Sequence, residues 1–168
     1  LAFWFGDPPA PQPRREWFQK DAAFDALIHD RFGAALSAAL AGGLQDWDAT
    51  PHGALARIVL LDQFTRNVFR DTARAFAGDA LALDAARELV VRGFDRVLPP
   101  RWRGFAYLPF EHAEDAGAQA QSLRLFGALS AEHTELADLV VWAQKHADII
   151  VRFGRYPHRN AVLGRPST

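Results

Sequence analysis

The chain has no cysteine and no methionine among its 168 residues. Without thiols there is no disulfide, no thiolate nucleophile and no cysteine-based zinc site, and the redox compartment stays open. Without methionine there is no initiator residue, and the final Pro166, Ser167 and Thr168 read like the N-cap of a helix that is absent. Both ends are therefore expected to be incomplete. No apolar run approaches the roughly 20 residues that a bilayer requires, and nothing near the start has the charged-then-apolar order of a secretory signal. A cytoplasmic protein with no membrane partner is the expectation.

Strong net charge is also missing. The formal value of -1 gives no general attraction to nucleic acid or to anionic lipid, so no nucleic-acid partner is expected. Lysine is scarce, with Lys20 and Lys145 against an otherwise all-arginine set of basic residues. Arginine in any one segment therefore says less than clustering does. The known cofactor and metal signatures are absent as well. There is no glycine-rich Walker loop, no His-Glu-x-x-His, no Glu-x-x-His and no Gly-x-Ser-x-Gly elbow. No cofactor and no metal are implied, and Ser37, Ser122, Ser130 and Ser167 sit in helical or cap-like contexts that suggest no activated nucleophile.

What is present is helical. A chain of this length with 49% hydrophobic and 23% charged residues supports one domain with a sizeable core. After aromatic residues at 1–5 and a proline-rich loop around 8–13, Asp21 is placed to cap a helix whose Phe24, Ile28, Phe32, Leu36 and Leu40 form one stripe, stopped by Gly42 and Gly43. Thr50 and Pro51 make an N-cap and N1 pair for a second helix reaching about residue 69. A third is expected over 78–92. Pro99 and Pro100 break the chain, a short piece covers 101–108, and Pro109 is expected to break it again. Two more helices are expected over 114–129 and 131–153, the latter capped by Ser130. The fold class is all-α, a single domain of short-connected helices.

The polar residues fall in three places. On the second helix, Leu55, Ile58, Val59, Leu60, Leu61 and Phe64 leave the first turns apolar nearly all round, as in a central helix. Helical steps along it then reach Asp62, Gln63, Arg66, Asn67 and Arg70, so polar groups enter a buried setting, where unpaired charge is costly. Asp62 and Arg66, four apart, can pair. Near residue 110, Glu111, His112, Glu114 and Asp115 are expected at a helix start as capping acids; Glu111 and His112 are also candidates for proton transfer, although neighbours on a helix point apart and need outside partners. His146 falls on the apolar side of the last helix with Leu139, Val140, Ala143 and Ile150, and reads either as a hydrogen-bonded core residue or as a base. Asp148 with Arg152, and Asp25 with His29, are further pairs at helical spacing.

The third place is the segment 152–160, RFGRYPHRN, dense in donors and free of acids. Gly154 suits a helix C-cap and Pro157 prevents continuation, so residues 155–160 form a shaped loop. Arg152, Arg155, His158, Arg159 and Asn160 can grip a carboxylate or a phosphate, as guanidinium groups do bidentately. They can equally satisfy acids such as Asp62, Asp79, Glu111 or Glu114. Both readings stand.

Five segments, FWFG at 3–6, LLDQFTRN at 60–67, RAFA at 74–77 followed by Asp79, LPFEH at 108–112 and RFGRYPHRN at 152–160 running on to Leu163, Gly164 and Arg165, resemble the bacterial family known as domain of unknown function 924. The likeness spans nearly the whole chain. It implies an all-helical fold similar to tetratricopeptide-repeat proteins, members that continue beyond Thr168, and no established activity. Thr65 stands where the family pattern has proline. Two functions are then expected in competition. One is an enzyme or binder whose Asp62, Arg66, Asn67, Arg152, Arg155, His158, Arg159 and Asn160 surround a small anionic ligand, with His146, His112 or Glu111 moving protons. The other is a peptide-binding helical scaffold whose polar motifs only lock the fold.

Overall fold

The computed structural model describes residues 1–7 and 13–168. The proline-rich loop expected around 8–13 lies, except for Pro13, outside the described residues. Among those described, every regular element is helical: α1 (Ala2–Phe5), α2 (Ala22–Leu40), α3 (Pro51–Ile58), a π turn (Val59–Phe64), α4 (Thr65–Val68), α5 (Asp79–Val91), α6 (Pro100–His112), α7 (Ala116–Glu132) and α8 (Ala137–Phe153). No helix is long and apolar enough to cross a membrane among the described residues.

Local chemistry explains most helix ends. The Asp21 carboxylate accepts from the amides of Ala23 at 2.9 Å and Phe24 at 3.0 Å, so α2 starts where its free donors are met. Thr50 Oγ1 does the same for Gly53 at 3.1 Å at the start of α3, with Pro51 next to it. Gly154 closes α8 with φ +67°, the left-handed conformation that glycine adopts without a Cβ penalty. Asp115 opens α7 by accepting from Ala118 at 2.7 Å.

The core forms around the stretch that runs from α3 through the π turn. Ala54, Leu55, Ile58, Val59, Leu60, Leu61 and Phe64 are all buried, as the all-round apolar pattern requires. Helix α5 packs on α3, α6 on α5 and α7, and α7 on α8. Phe5 stacks on Trp102 at 4.5 Å and Trp17 meets Phe105 edge-on at 4.8 Å, so aromatic contacts pin the N-terminal segment over the core. Such pairs contribute about 0.5–1.5 kcal/mol each beyond burial.

Three expectations are corrected. Pro109 does not end a helix, because α6 runs through it from Pro100 to His112. An interior proline removes one amide donor and costs about 3 kcal/mol. Continuity offsets this by keeping Phe105, Ala106, Tyr107 and Phe110 buried, where a large apolar side chain contributes about 1.5–3 kcal/mol. Next, Glu111 and His112 finish α6 and do not begin α7; only Asp115 caps. Finally, Ser130 caps nothing: its hydroxyl donates to the Leu136 carbonyl at 3.1 Å, and α8 begins after a break at His133 and a 3-10 turn over Thr134–Leu136. Burial of Leu136 holds that turn against the core.

The second helix also contains a feature that its sequence pattern does not announce. Through the π turn the backbone widens by one residue, and the Thr65 amide reaches back to the Leu60 carbonyl. The Leu61 carbonyl is taken by the hydroxyl of buried Thr65 at 2.6 Å. Gly78, the residue before α5, lies against that same carbonyl.

Candidate functional site

The widened turn carries Asp62 into the interior at 1% exposure. Its Oδ1 lies 2.7 Å from His112 Nδ1 and 3.0 Å from Arg66 Nη1, while Gln63 Nε2 donates to Oδ2 at 2.6 Å. Burial alone would raise the Asp62 carboxyl, but Arg66 and His112, with the hydrogen bond from Gln63, outweigh it and hold it well below the usual carboxylate range. Asp62 is therefore an ionised anchor for three side chains. Arg66 Nη1 also donates to the Asp62 backbone carbonyl at 2.6 Å and lies 2.9 Å from Asp79 Oδ1 at the start of α5. Distance and angle disagree at that last contact. It is an ion pair, but the Asp79 oxygen has no well-directed hydrogen bond.

Asp79 is shared. Its Oδ2 accepts from Arg159 Nη1 at 3.0 Å, and Arg159 Nη2 donates to the His112 carbonyl at 3.0 Å. Both guanidinium groups lie over the Phe76 ring, Arg159 at 4.5 Å and Arg66 at 5.7 Å. Burial pulls Arg159 below the usual arginine range, with Arg66 adding to the fall and Asp79 opposing it. Among the described residues, Arg159 Nε and Arg66 Nη2 are buried without a hydrogen-bond partner.

The C-terminal segment is bound to the end of α6. The Tyr156 hydroxyl donates to the Glu111 carbonyl and accepts from Gln119 Nε2 at 2.9 Å, while Gln119 also reaches the carbonyls of Glu111 and Ala113, each at 2.7 Å. These donors meet carbonyls that a helix end leaves free. Glu114 accepts from the Tyr156 amide at 2.8 Å and from both Arg165 nitrogens at 2.5 and 2.9 Å.

Behind this network lies a second pair. His146 Nδ1 is 3.0 Å from Glu111 Oε1 and 2.9 Å from the Trp142 carbonyl. Because a backbone carbonyl only accepts, Nδ1 carries the hydrogen. The short distance suggests an ion pair, whereas burial, with nearby Asp62 adding to it, pushes Glu111 up to about 8, and burial pushes His146 down. Both shifts favour the neutral forms. A neutral acid beside a neutral imidazole fits a carboxyl this deeply buried, and we assign the pair that way.

A cleft of about 410 Å³ opens beside Asp79 and Arg159. Phe76, Ala77, Ala80, Leu83 and Leu163 form its apolar walls, and Asp79, His112, Glu114 and Arg159 supply its polar groups. No group of three or more His, Asp or Glu side chains is arranged to hold a metal ion among the described residues.

Of the expected site residues, Asp62, Arg66, Glu111, His112, His146 and Arg159 do come together. Others do not. Asn67 turns to α2, where its amide donates to Asp25 Oδ1 at 2.7 Å beside Arg70 Nε at 2.8 Å from Oδ2. Asp25 is thereby taken and does not pair with His29, which lies beside Asp30. Arg152 is exposed, over the Phe153 ring at 4.8 Å, and Asp148 accepts from Gln144 at 2.8 Å instead. Arg155 is half-buried, with no hydrogen-bond partner among the described residues. His158 is exposed, its ring 5.5 Å from Tyr156. Asn160 is buried and holds the segment itself, its carbonyl accepting from the Arg165 amide at 2.8 Å. Sequence reasoning missed Tyr156, Gln119 and Gly78. A glutamine on an otherwise apolar helix face was the available signal for Gln119.

The class defined by these features is an all-α protein in which a buried charge network joins a π turn, the end of α6 and a C-terminal segment. The chain belongs to the family of bacterial proteins of unknown function DUF924, which it matches over residues 1–168. It is similar to the solved structure of protein ATU0120, of unknown function, from Agrobacterium tumefaciens, with 44% identity, 91% of this chain and 84% of that chain covered, and a TM-score of 0.84. No curated protein matches the chain.

Proposed function

We propose that the protein binds a small organic anion, a carboxylate or phosphate group on an apolar body, in the cleft beside Arg159. One observation carries this reading: Arg159 lines the cleft, and its carboxylate partner, Asp79, is shared with Arg66. A guanidinium that shares its carboxylate with a second arginine is left short of negative charge, which an anion's oxygens supply. The apolar walls from Phe76 to Leu163 suit a hydrocarbon or aromatic body.

A second reading has its own observation. Asp62, Asp79 and Glu114 are each paired with arginine, among Arg66, Arg159 and Arg165, so the network balances its charge and can serve the fold alone. Thermal unfolding with acetate, benzoate, phosphate and phenyl phosphate separates the two. Ligand binding raises the melting temperature of the wild type with benzoate or phenyl phosphate, by about 2–4 °C per kcal/mol of binding linkage, and leaves Arg159→Met unmoved. A flat panel together with a large loss of stability in Arg159→Met establishes the structural network and sinks the ligand.

A further inference from the structure

The cleft contains an imidazole whose orientation is set from behind. Asp62 and His112 meet at 2.7 Å through Oδ1 and Nδ1, and Asp62 is held there by Arg66 and Gln63. An ionised carboxylate can only accept, so a hydrogen sits on Nδ1, and in the neutral ring the lone pair is then on Nε2. Nε2 has no hydrogen-bond partner among the described residues, and the His112 side chain is 17% exposed. His112 lines the cleft, and Arg159 is anchored on the carbonyl of the same residue at 3.0 Å.

We propose that His112 is the general base of a carboxylic-ester hydrolysis in this cleft, with Asp62 as its positioning residue and Arg159 as the cation for the developing oxyanion. This rests on the anion-binding reading of the same cleft, since the acid released by hydrolysis is an organic carboxylate of the class proposed to bind there. Among the described residues no Ser, Thr or Lys lines the cleft, and its two carboxylates are committed to arginine, so water is the nucleophile. Nε2 takes one proton from that water as its oxygen bonds to the ester carbon, and the carbonyl electron pair moves onto the oxygen facing Arg159. Collapse of the tetrahedral intermediate breaks the bond to the alcohol oxygen. The imidazolium returns its proton to that oxygen, so ester and water give acid and alcohol with nothing left over. The charged and titratable groups around His112 are Asp62 and Arg66 from the central helix, Asp79 from α5, His146 from α8 at 6.4 Å between ring centres, and His158 with Arg159 from the C-terminal segment.

The test uses the full chain and 4-nitrophenyl acetate. The expected result is saturable hydrolysis above the buffer rate, competitively inhibited by benzoate, with kcat falling about 10²-fold or more in His112→Gln. Asp62→Asn lowers kcat while KM stays within about twofold, because its amide can donate to the imidazole and move the hydrogen to Nε2. Imidazole 15N spectra read that change directly. Wild type shows the Nδ1–H form at His112 and Asp62→Asn the Nε2–H form, whereas His133→Gln, which does not line the cleft, changes neither the rate nor the His112 signals. A wild type no faster than buffer, a His112→Gln enzyme at the wild-type rate, or an Nε2–H form in the wild type overturns the proposal. Stabilisation by benzoate or phenyl phosphate without hydrolysis sinks the base and leaves the binding site; no stabilisation by either sinks both.

Discussion

Gly78 lies against Leu61 so closely that a Cβ on it would be 2.1 Å from the Leu61 carbonyl oxygen. That contact joins the π turn to the start of α5. It puts Asp79 beside Arg66 and Arg159, and so decides where the charge network closes. Because the obstacle is backbone, Gly78→Ala cannot be relieved by a side-chain rotation. We expect it to destabilise by about 1–3 kcal/mol or more in denaturant unfolding. Gly127→Ala in α7, with nothing within 4 Å of the added Cβ, is expected to stabilise by about 0.5–1 kcal/mol. Equal effects at the two sites would remove the close approach as the reason for glycine at 78.

Asp62 is the hub of the network, and its removal leaves Arg66 with one carboxylate where it had two. Breaking a buried pair by deleting one partner costs about 3–5 kcal/mol. Asp62→Ala is expected in that range by urea unfolding. A double variant with Arg66→Met should recover part of the loss, because the uncompensated charge has gone too. No recovery in the double variant would show that Arg66 is held by Asp79 alone.

Stability should fall as the pH rises through the range in which Glu111 differs between folded and unfolded chain. The folded state keeps this proton up to about 8, while the unfolded chain releases it near 4.5. Between those values the folded state binds more protons, so each unit of pH costs about 1.4 kcal/mol from this one group. Glu111→Gln has no proton to lose. It should match the wild type near pH 4.5 and become progressively more stable than it towards pH 8, as read by unfolding curves at several pH values. A difference that does not change with pH would mean that Glu111 is ionised in the folded protein.

The two tyrosines give an optical check on packing. Burial pushes both Tyr107 and Tyr156 up to about 12, with the hydrogen bond to Asp95 adding to Tyr107. A free phenol ionises near 10. Tyrosinate absorbance should therefore stay flat through pH 10 to 11 and rise only near 12 or with unfolding. A step near pH 10 carrying half the amplitude would place one hydroxyl in solvent.

Caps were legible in the sequence because they are local: Asp21, Thr50 with Pro51 and Gly154 act on donors and carbonyls within a few residues. The Asp62–Arg66 pair was legible for the same reason, its spacing being one helical turn. The π turn was not. It sets the residues after Phe64 out of phase with the stripes read from the residues before it; Asn67 and Arg70, three apart and both beyond the turn, end together on Asp25. Pro109 and Ser130 misled because local preference there is weaker than burial of Phe105, Phe110 and Leu136.

By itself the sequence determined an all-α chain, its main helix starts and its likeness to the DUF924 family, since these rest on periodicity, capping and motif order. Only the tertiary structure decided which charges meet. Asp62 and His112 are 50 residues apart, and Arg159 and Asp79 are 80 apart. No local rule links residues at such distances. Their pairing comes from how α5, α6 and the C-terminal segment pack on the widened turn, and packing is a property of the whole core.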